Sequence, residues 1–225
     1  MYTVMEKEFM TKNDLLKRIS TNQDLSGLDL TGIKLSELDL VGVNFSRCIL
    51  KNADFSKSNL AICIFDEADL TGCKIDSANL TGASFKNTEL SGADFNFSFM
   101  PGANFKNAQM NGVNLLNAKI TACSFQNAYL EKANLQMVEA SLANFTNAKM
   151  QEVNLKQATL IGVDFSNADM EGVRFFLSDL SGAKFIKTNL KNSEIIRCIL
   201  IATDFTDADL TKTIFENNFE SRVIK

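Results

Sequence analysis

The chain has no histidine, no tryptophan, a single proline and only two tyrosines among its 225 residues. Without histidine there is neither an imidazole metal ligand nor a His-based proton relay. The sequence also lacks a GxGxxG fingerprint, a P-loop, a GxSxG elbow and clustered cysteine ligands, so no cofactor and no enzymatic activity are expected. Polar residues interrupt every apolar run well short of bilayer thickness, and Met1 to Glu8 carry neither a basic flank nor an apolar stretch; the expectation is a cytoplasmic protein without membrane contact. A formal net charge of -4 argues against a broadly basic surface, and no direct nucleic-acid binding is expected.

What the chain has is a period. From Leu25 to Phe215 every fifth residue is apolar, thirty-nine in succession without a slip of phase. Chance placement at this composition would give such a run with a probability of roughly 10⁻¹³, so the repeat takes precedence over helix or strand assignment. A second column lies two residues earlier: from Val43 to Thr213 it holds only Ala, Cys, Ser, Thr or Val. Such alternation fits a narrow interior that admits a small side chain beside each large one. All five cysteines, Cys48, Cys63, Cys73, Cys123 and Cys198, fall in this small column, which makes them free core-filling thiols. Asp or Asn precedes the central apolar residue in twenty of the thirty-nine units, where a short acceptor can bond nearby backbone. All eleven glycines stand two positions after a centre, marking a repeated corner that needs a permissive backbone.

Ala53-Asp54-Phe55-Ser56-Lys57, Ala78-Asn79-Leu80-Thr81-Gly82 and Ala168-Asp169-Met170-Glu171-Gly172 resemble the motif of the pentapeptide-repeat family. The resemblance covers about residues 23–217. It implies an all-β solenoid, a right-handed quadrilateral β-helix in which five residues form a side and twenty a coil. With about 4.8 Å between coils, the thirty-nine units predict a rod roughly 47 Å long. On that geometry Phe45, Phe65, Phe85, Phe105, Phe125, Phe145, Phe165, Phe185 and Phe205 stack along one side.

Three segments follow. Residues 1–22 form an N-terminal segment with a capping helix, for which Thr11 is the expected N-cap, Asp14 the N3 acid and Met10 a packing partner of Leu15. Residues 23–217 form the β-helix. Residues 218–225 form a C-terminal cap or tail, because Glu220 breaks the apolar column. The larger inward residues Leu28, Ile33 and Leu38 suggest an opening coil packed differently from the Ala-rich middle. Asn87, Asn107, Asn127, Asn147 and Asn167 occupy equivalent outward positions, where their amides can bond from coil to coil.

The outward positions carry the functional signal. The side centred on Leu35, Phe55 and their equivalents places Phe97, Met137, Phe176, Leu177 and Ile196 outside, and the next side adds Phe99, Leu142, Ile199 and Ile201. An apolar stripe across a shared corner marks an association site rather than incidental exposure. The expected function is a non-enzymatic protein-interaction scaffold or regulator, its partner an unidentified protein or a second copy. The resemblance raises an alternative, since some members of the family bind DNA gyrase and influence quinolone action: a DNA-mimicking binder of gyrase or topoisomerase IV. The absence of acidic residues between Asp94 and Glu131 weighs against it.

Overall fold

A computed structural model describes residues 12–224. The chain winds as a right-handed quadrilateral β-helix behind one short helix. Successive coils bond in parallel at a constant offset of twenty residues, from Asp24 against Asn44 to Asp204 against Ile224. The four sides are named by their central residues: the first runs Leu25, Phe45 to Phe205, the second Leu30 to Leu210, the third Leu35, Phe55 to Phe215, and the fourth Leu40 to Leu200.

Most corners are β-turns closed by a backbone bond. The carbonyl of a central residue accepts the N–H three residues on, as in Val43 to Leu40 at 3.2 Å and Ala53 to Leu50 at 3.0 Å. The third residue of the turn has positive φ at every corner from Gly27 (φ 75) to Arg222 (φ 55). That is a type II arrangement, which explains why glycine is confined to this position and why Asn is common there. The residue before the centre completes the corner: Asn44 Oδ1 accepts the Ser46 N–H at 3.0 Å and Asp69 Oδ1 the Thr71 N–H at 3.1 Å. Five short strands interrupt the pattern near the C-terminus: β1 (Arg174–Phe176), β2 (Glu194–Ile196), β3 (Ile199–Ile201), β4 (Ile214–Glu216) and β5 (Phe219–Ser221). All five begin at a residue other than Asp or Asn. β1, β2 and β4 form one parallel sheet on the third side, and β3 pairs with β5 on the fourth.

Inside, the nine phenylalanines of the first side stack with centroids 4.6 to 5.2 Å apart. Third-side rings meet them edge-on across the interior: Phe55 lies 5.6 Å from Phe45, and Phe95 lies 6.0 Å from Phe85. Both arrangements suit the ring quadrupole and bury large apolar area. The small column closes the remaining space, and its polar members bond backward. Thr88 Oγ1 donates to Phe65 O at 2.9 Å and Cys63 Sγ to Leu40 O at 2.9 Å. Some of these groups replace the turn bond of the preceding coil. Ser58 Oγ accepts the Leu38 N–H at 3.1 Å while donating to Leu35 O at 2.6 Å; Asn218 does the same with its amide, at 2.8 Å to Cys198 N and 2.8 Å to Ile195 O. A buried polar side chain in this column is thus a satisfied one. The five cysteines are free and buried, and burial pushes the thiols of Cys63, Cys73 and Cys123 up to about 12.

The capping helix, α1 (Lys12–Thr21), covers the N-terminal end with Leu15 fully buried and Ile19 partly so. Asp14 lies in its first turn and Arg18 in its last, matching the helix dipole. The expected contributions of Met10 and Thr11 lie outside the described residues. Leu28, Ile33 and Leu38 are partly buried against the core of the opening coil. At the far end residues 218–224 lie along the edge of the preceding coil, with the Phe205 N–H bonded to Ile224 O at 2.8 Å.

The corner carboxylates couple this geometry to pH. Thr211 Oγ1 donates to Asp209 at 2.6 Å, and this bond, with that from the Thr211 N–H, holds the carboxyl down to about 2; Thr206 lowers Asp204 in the same way. Lowered folded-state values mean that the stabilisation is complete above the unfolded value of about 4 and lost as pH falls through the folded one. The thermal midpoint should therefore hold level above pH 5 and drop between pH 4 and 2. Thr211→Val should flatten that drop; an acid response identical to wild type would remove Asp209 from the account.

Candidate functional site

The apolar outward residues divide into groups along the rod. In the middle, Phe97 is 59% and Phe99 46% exposed, one on either side of the corner between the third and fourth sides. The Phe97 N–H bonds to the carbonyl of half-buried Leu116 at 2.9 Å. Met137 stands two coils further on in the same column as Phe97, beyond Asn117. Leu142, the most exposed at 67%, sits on the following corner, between the fourth and first sides. It lies over Gly162, where an added Cβ would come within 3.0 Å of its Cδ2, so glycine there both permits φ +66 and makes room for the leucine.

The remaining five predicted residues come together near the C-terminus. Phe176 and Ile196 are register partners of β1 and β2, half-buried, and the Leu177 N–H bonds to Ile196 O at 3.2 Å. Ile199 and Ile201 flank the buried Leu200 in β3. Arg197 places its guanidinium 5.9 Å above the Phe176 ring, a cation–π contact at the centre of the group. The predicted stripe therefore divides into a C-terminal group on two adjoining sides, a separate Phe97 and Phe99 pair, and Met137 and Leu142 standing apart.

Phe219, 62% exposed, is the register partner of Ile199 and extends this cluster; Ile214, 44% exposed, continues the third-side sheet beyond Glu194. Ile214 is not among the predicted residues, and Phe219 is expected only in the C-terminal segment, as cover for the last edge or a contact with another copy. Their signal is present in the sequence: both stand where Asp or Asn usually precedes the centre. Backbone geometry adds a second mark. Phe97 (φ 57), Met137 (φ 58), Leu142 (φ 61) and Leu177 (φ 55) occupy the left-handed position that glycine or asparagine fills at lower cost. At those four corners both conformation and hydration favour another residue.

Elsewhere Ile49, Ile62, Ile64, Tyr129, Ile161 and Ile224 are also exposed, and the polar surface around them is largely paired within the chain. Lys51 meets Asp69 at 3.1 Å, Lys119 meets Glu139 at 3.2 Å and Lys191 meets Asp209 at 3.1 Å. The Asp66 to Asp69 and Asp204 to Asp209 stretches point outward and supply corner bonds. Asn107 donates to Asn87 at 3.0 Å and Asn127 to Asn107 at 3.1 Å, the coil-to-coil bonding expected of that column. An open polar groove of about 540 Å³ lies between Ser26, Asn44, Ser46, Asp66 and Glu67, with Arg47 bonded to Glu67 at 3.0 Å. Among the described residues no group of three His, Cys, Asp or Glu side chains could hold a metal ion, and no helix is long and apolar enough to cross a membrane.

A family model described as a pentapeptide repeat region matches residues 38–118 and 118–195, and a second, described as pentapeptide repeats, matches residues 178–217. No curated protein sequence matches the chain. Among solved structures, HetL from the cyanobacterium Nostoc sp. strain PCC 7120, a pentapeptide repeat protein involved in heterocyst differentiation regulation, superposes with a TM-score of 0.93 at 21% identity, over 95% of this chain and 96% of its own. Full-length QnrB1, a plasmid-mediated fluoroquinolone resistance protein, matches with a TM-score of 0.53 at 21% identity, over 85% of this chain and 92% of its own. At these identities the likeness is one of fold.

Proposed function

The chain belongs to the pentapeptide-repeat family, and from that premise we propose that it is a non-enzymatic cytoplasmic scaffold or regulator that binds a protein through its exposed apolar corner. The observation that carries this reading is the C-terminal cluster of Phe176, Leu177, Ile196, Ile199 and Ile201 around Arg197. It combines aromatic, aliphatic and Arg side chains, the composition of interface hot spots, on a rigid backbone that loses little entropy on binding. The filled interior supports the non-enzymatic part, since among the described residues the inside of the rod is occupied by packed apolar columns rather than by converging polar groups.

The test is capture of the partner from the native cell, followed by cross-link mapping. Phe99→Ser with Ile201→Ser should lower capture by at least about tenfold, because two exposed anchors are removed without touching the core. Undiminished capture by the folded double variant would reject the corner. The gyrase alternative draws on the fold shared with QnrB1, a fluoroquinolone resistance protein. Several carboxylates that a DNA mimic would present are engaged with lysines of the same chain. Unchanged supercoiling and quinolone-dependent cleavage by gyrase in the presence of the purified protein would dispose of that alternative.

A further inference from the structure

We propose that the third side is a self-association face on which two copies of the chain pack antiparallel about a twofold axis at Asn134, a reading that deepens the protein-interaction role by naming a second copy as one occupant. The argument rests on the order of charges along one outward column. Along the third side the residues before the centres run from Lys34 and Asp54 to Ile214, and the stretch between those ends is Lys74, Asp94, Asn114, Asn134, Asn154, Arg174 and Glu194. Reversing that column about Asn134 places Lys74 opposite Glu194, Asp94 opposite Arg174, and Asn opposite Asn. Within this stretch every charge meets its opposite, and twofold symmetry makes each contact twice; beyond it Asp54, already held by Lys34, falls opposite Ile214.

The neighbouring corner column has the same centre. Its exposed apolar residues are Phe97, Met137 and Leu177, and Met137 lies in the coil of Asn134. The same axis brings Phe97 of one copy to Leu177 of the other and Met137 to its own mate. These two columns share one register. None of Lys74, Asp94, Arg174 and Glu194 takes part in the ion pairs found among the described residues, although those pairs engage many of the surface lysines. Lys74 and Arg174 are exposed, Asp94 and Glu194 partly so. Within one chain the partners are too distant to meet: Asp94 and Arg174 are four coils apart, about 19 Å, and Lys74 and Glu194 six coils, about 29 Å.

The area is adequate. The described surface is 10803 Å², so one side of a four-sided rod carries on the order of 2,000 Å² once the ends are set aside. Covering less than half of it reaches the roughly 800 Å² per partner of a stable interface.

Charge reversal tests both the association and its register. Wild type should sediment at twice the 24.9 kDa chain mass. Asp94→Arg alone and Arg174→Asp alone should each weaken the dimer by at least about tenfold, because each sets two like-charge contacts against each other. The double variant should recover wild-type association, which a single chain cannot explain across four coils. Lys74→Glu and Glu194→Lys provide the same cycle at independent positions, should either variant at 94 or 174 fail to fold. Asn134→Cys should be joined to its mate by a short bis-maleimide while Asn104→Cys, on the opposite side, is not; the native cysteines are buried and stay silent. A wild-type chain that sediments as a monomer up to its solubility limit, or a double variant no better than the singles in both cycles, would overturn the proposal. Phe99 and Ile201 lie on the fourth side, so their replacement should leave the dimer mass unchanged. Lost dimerisation in that fourth-side variant would refute only this face, and undiminished capture with the dimer intact only the corner.

Discussion

Phe125→Ala is expected to destabilise the protein by about 3–5 kcal/mol, the range for removing a fully buried aromatic ring from a core that cannot collapse onto the gap. Phe125 is completely buried and stacked on both faces, 4.9 Å from Phe105 and 4.6 Å from Phe145. Its backbone is fixed by bonds to the coils above and below, Phe125 N to Asn144 O at 2.7 Å and Ser124 N to Ala103 O at 3.0 Å, so neighbouring coils cannot close over the cavity. In a solenoid each coil is held chiefly by its neighbours, so the loss at Phe125 also weakens the coupling between the two halves of the rod. Phe205→Ala should cost less, because its ring stacks on one ladder neighbour only, Phe185 at 5.0 Å. Urea unfolding followed by circular dichroism would order the two. A loss under about 1 kcal/mol at Phe125 would mean that the ladder is not the main source of cohesion.

The second large effect contrasts proline at two adjacent positions. Ala122→Pro should cost about 3 kcal/mol or more, because Ala122 has φ 56, which the proline ring forbids, and its N–H bonds to Ser141 O at 3.0 Å. Thr121→Pro, one residue earlier, should be neutral or stabilising by up to about 1 kcal/mol. Position 121 is the second residue of a type II turn, where proline's fixed φ is native, and Lys119 offers no Asx acceptor for its N–H. The chain's single proline supports the distinction. Pro101 occupies the equivalent site one coil earlier, within the turn closed by Ala103 N to Met100 O at 3.1 Å, and Phe99 stands there in place of Asp or Asn. Thermal midpoints of the two variants decide the point. Equal damage from both would contradict the corner geometry.

Much of this was legible in order of residues alone because the fold is nearly one-dimensional. A side chain's surroundings depend on its position modulo five and modulo twenty. Phe45 through Phe205 could therefore be placed on one ladder, the cysteines in the small interior column and the glycines at corners. The exposure of Phe97, Phe99, Leu142 and Leu177 followed from the same count. The protein-interaction role and the 1–22, 23–217 and 218–225 segmentation stand as proposals built on that count.

Other features needed the third dimension. Period identifies columns, but not that Ser58 and Asn218 substitute for the turn bond of the coil beneath them, since that exchange joins residues about twenty positions apart through specific angles. Nor does period predict that the ladder lengthens only at β1 to β5, since other units that also lack Asp or Asn before the centre keep isolated bridges. The surface divided most clearly. Composition and phase determined that the molecule is a filled rod without the apparatus of His-based chemistry. The tertiary structure decided which outward residues become neighbours, because winding brings Phe176 beside Ile196 and Arg197 over Phe176 while leaving Phe97 and Met137 separated by Asn117. The physical reason is that burial in this fold follows a local rule repeated every five residues, whereas a surface patch forms only where side chains from different coils meet.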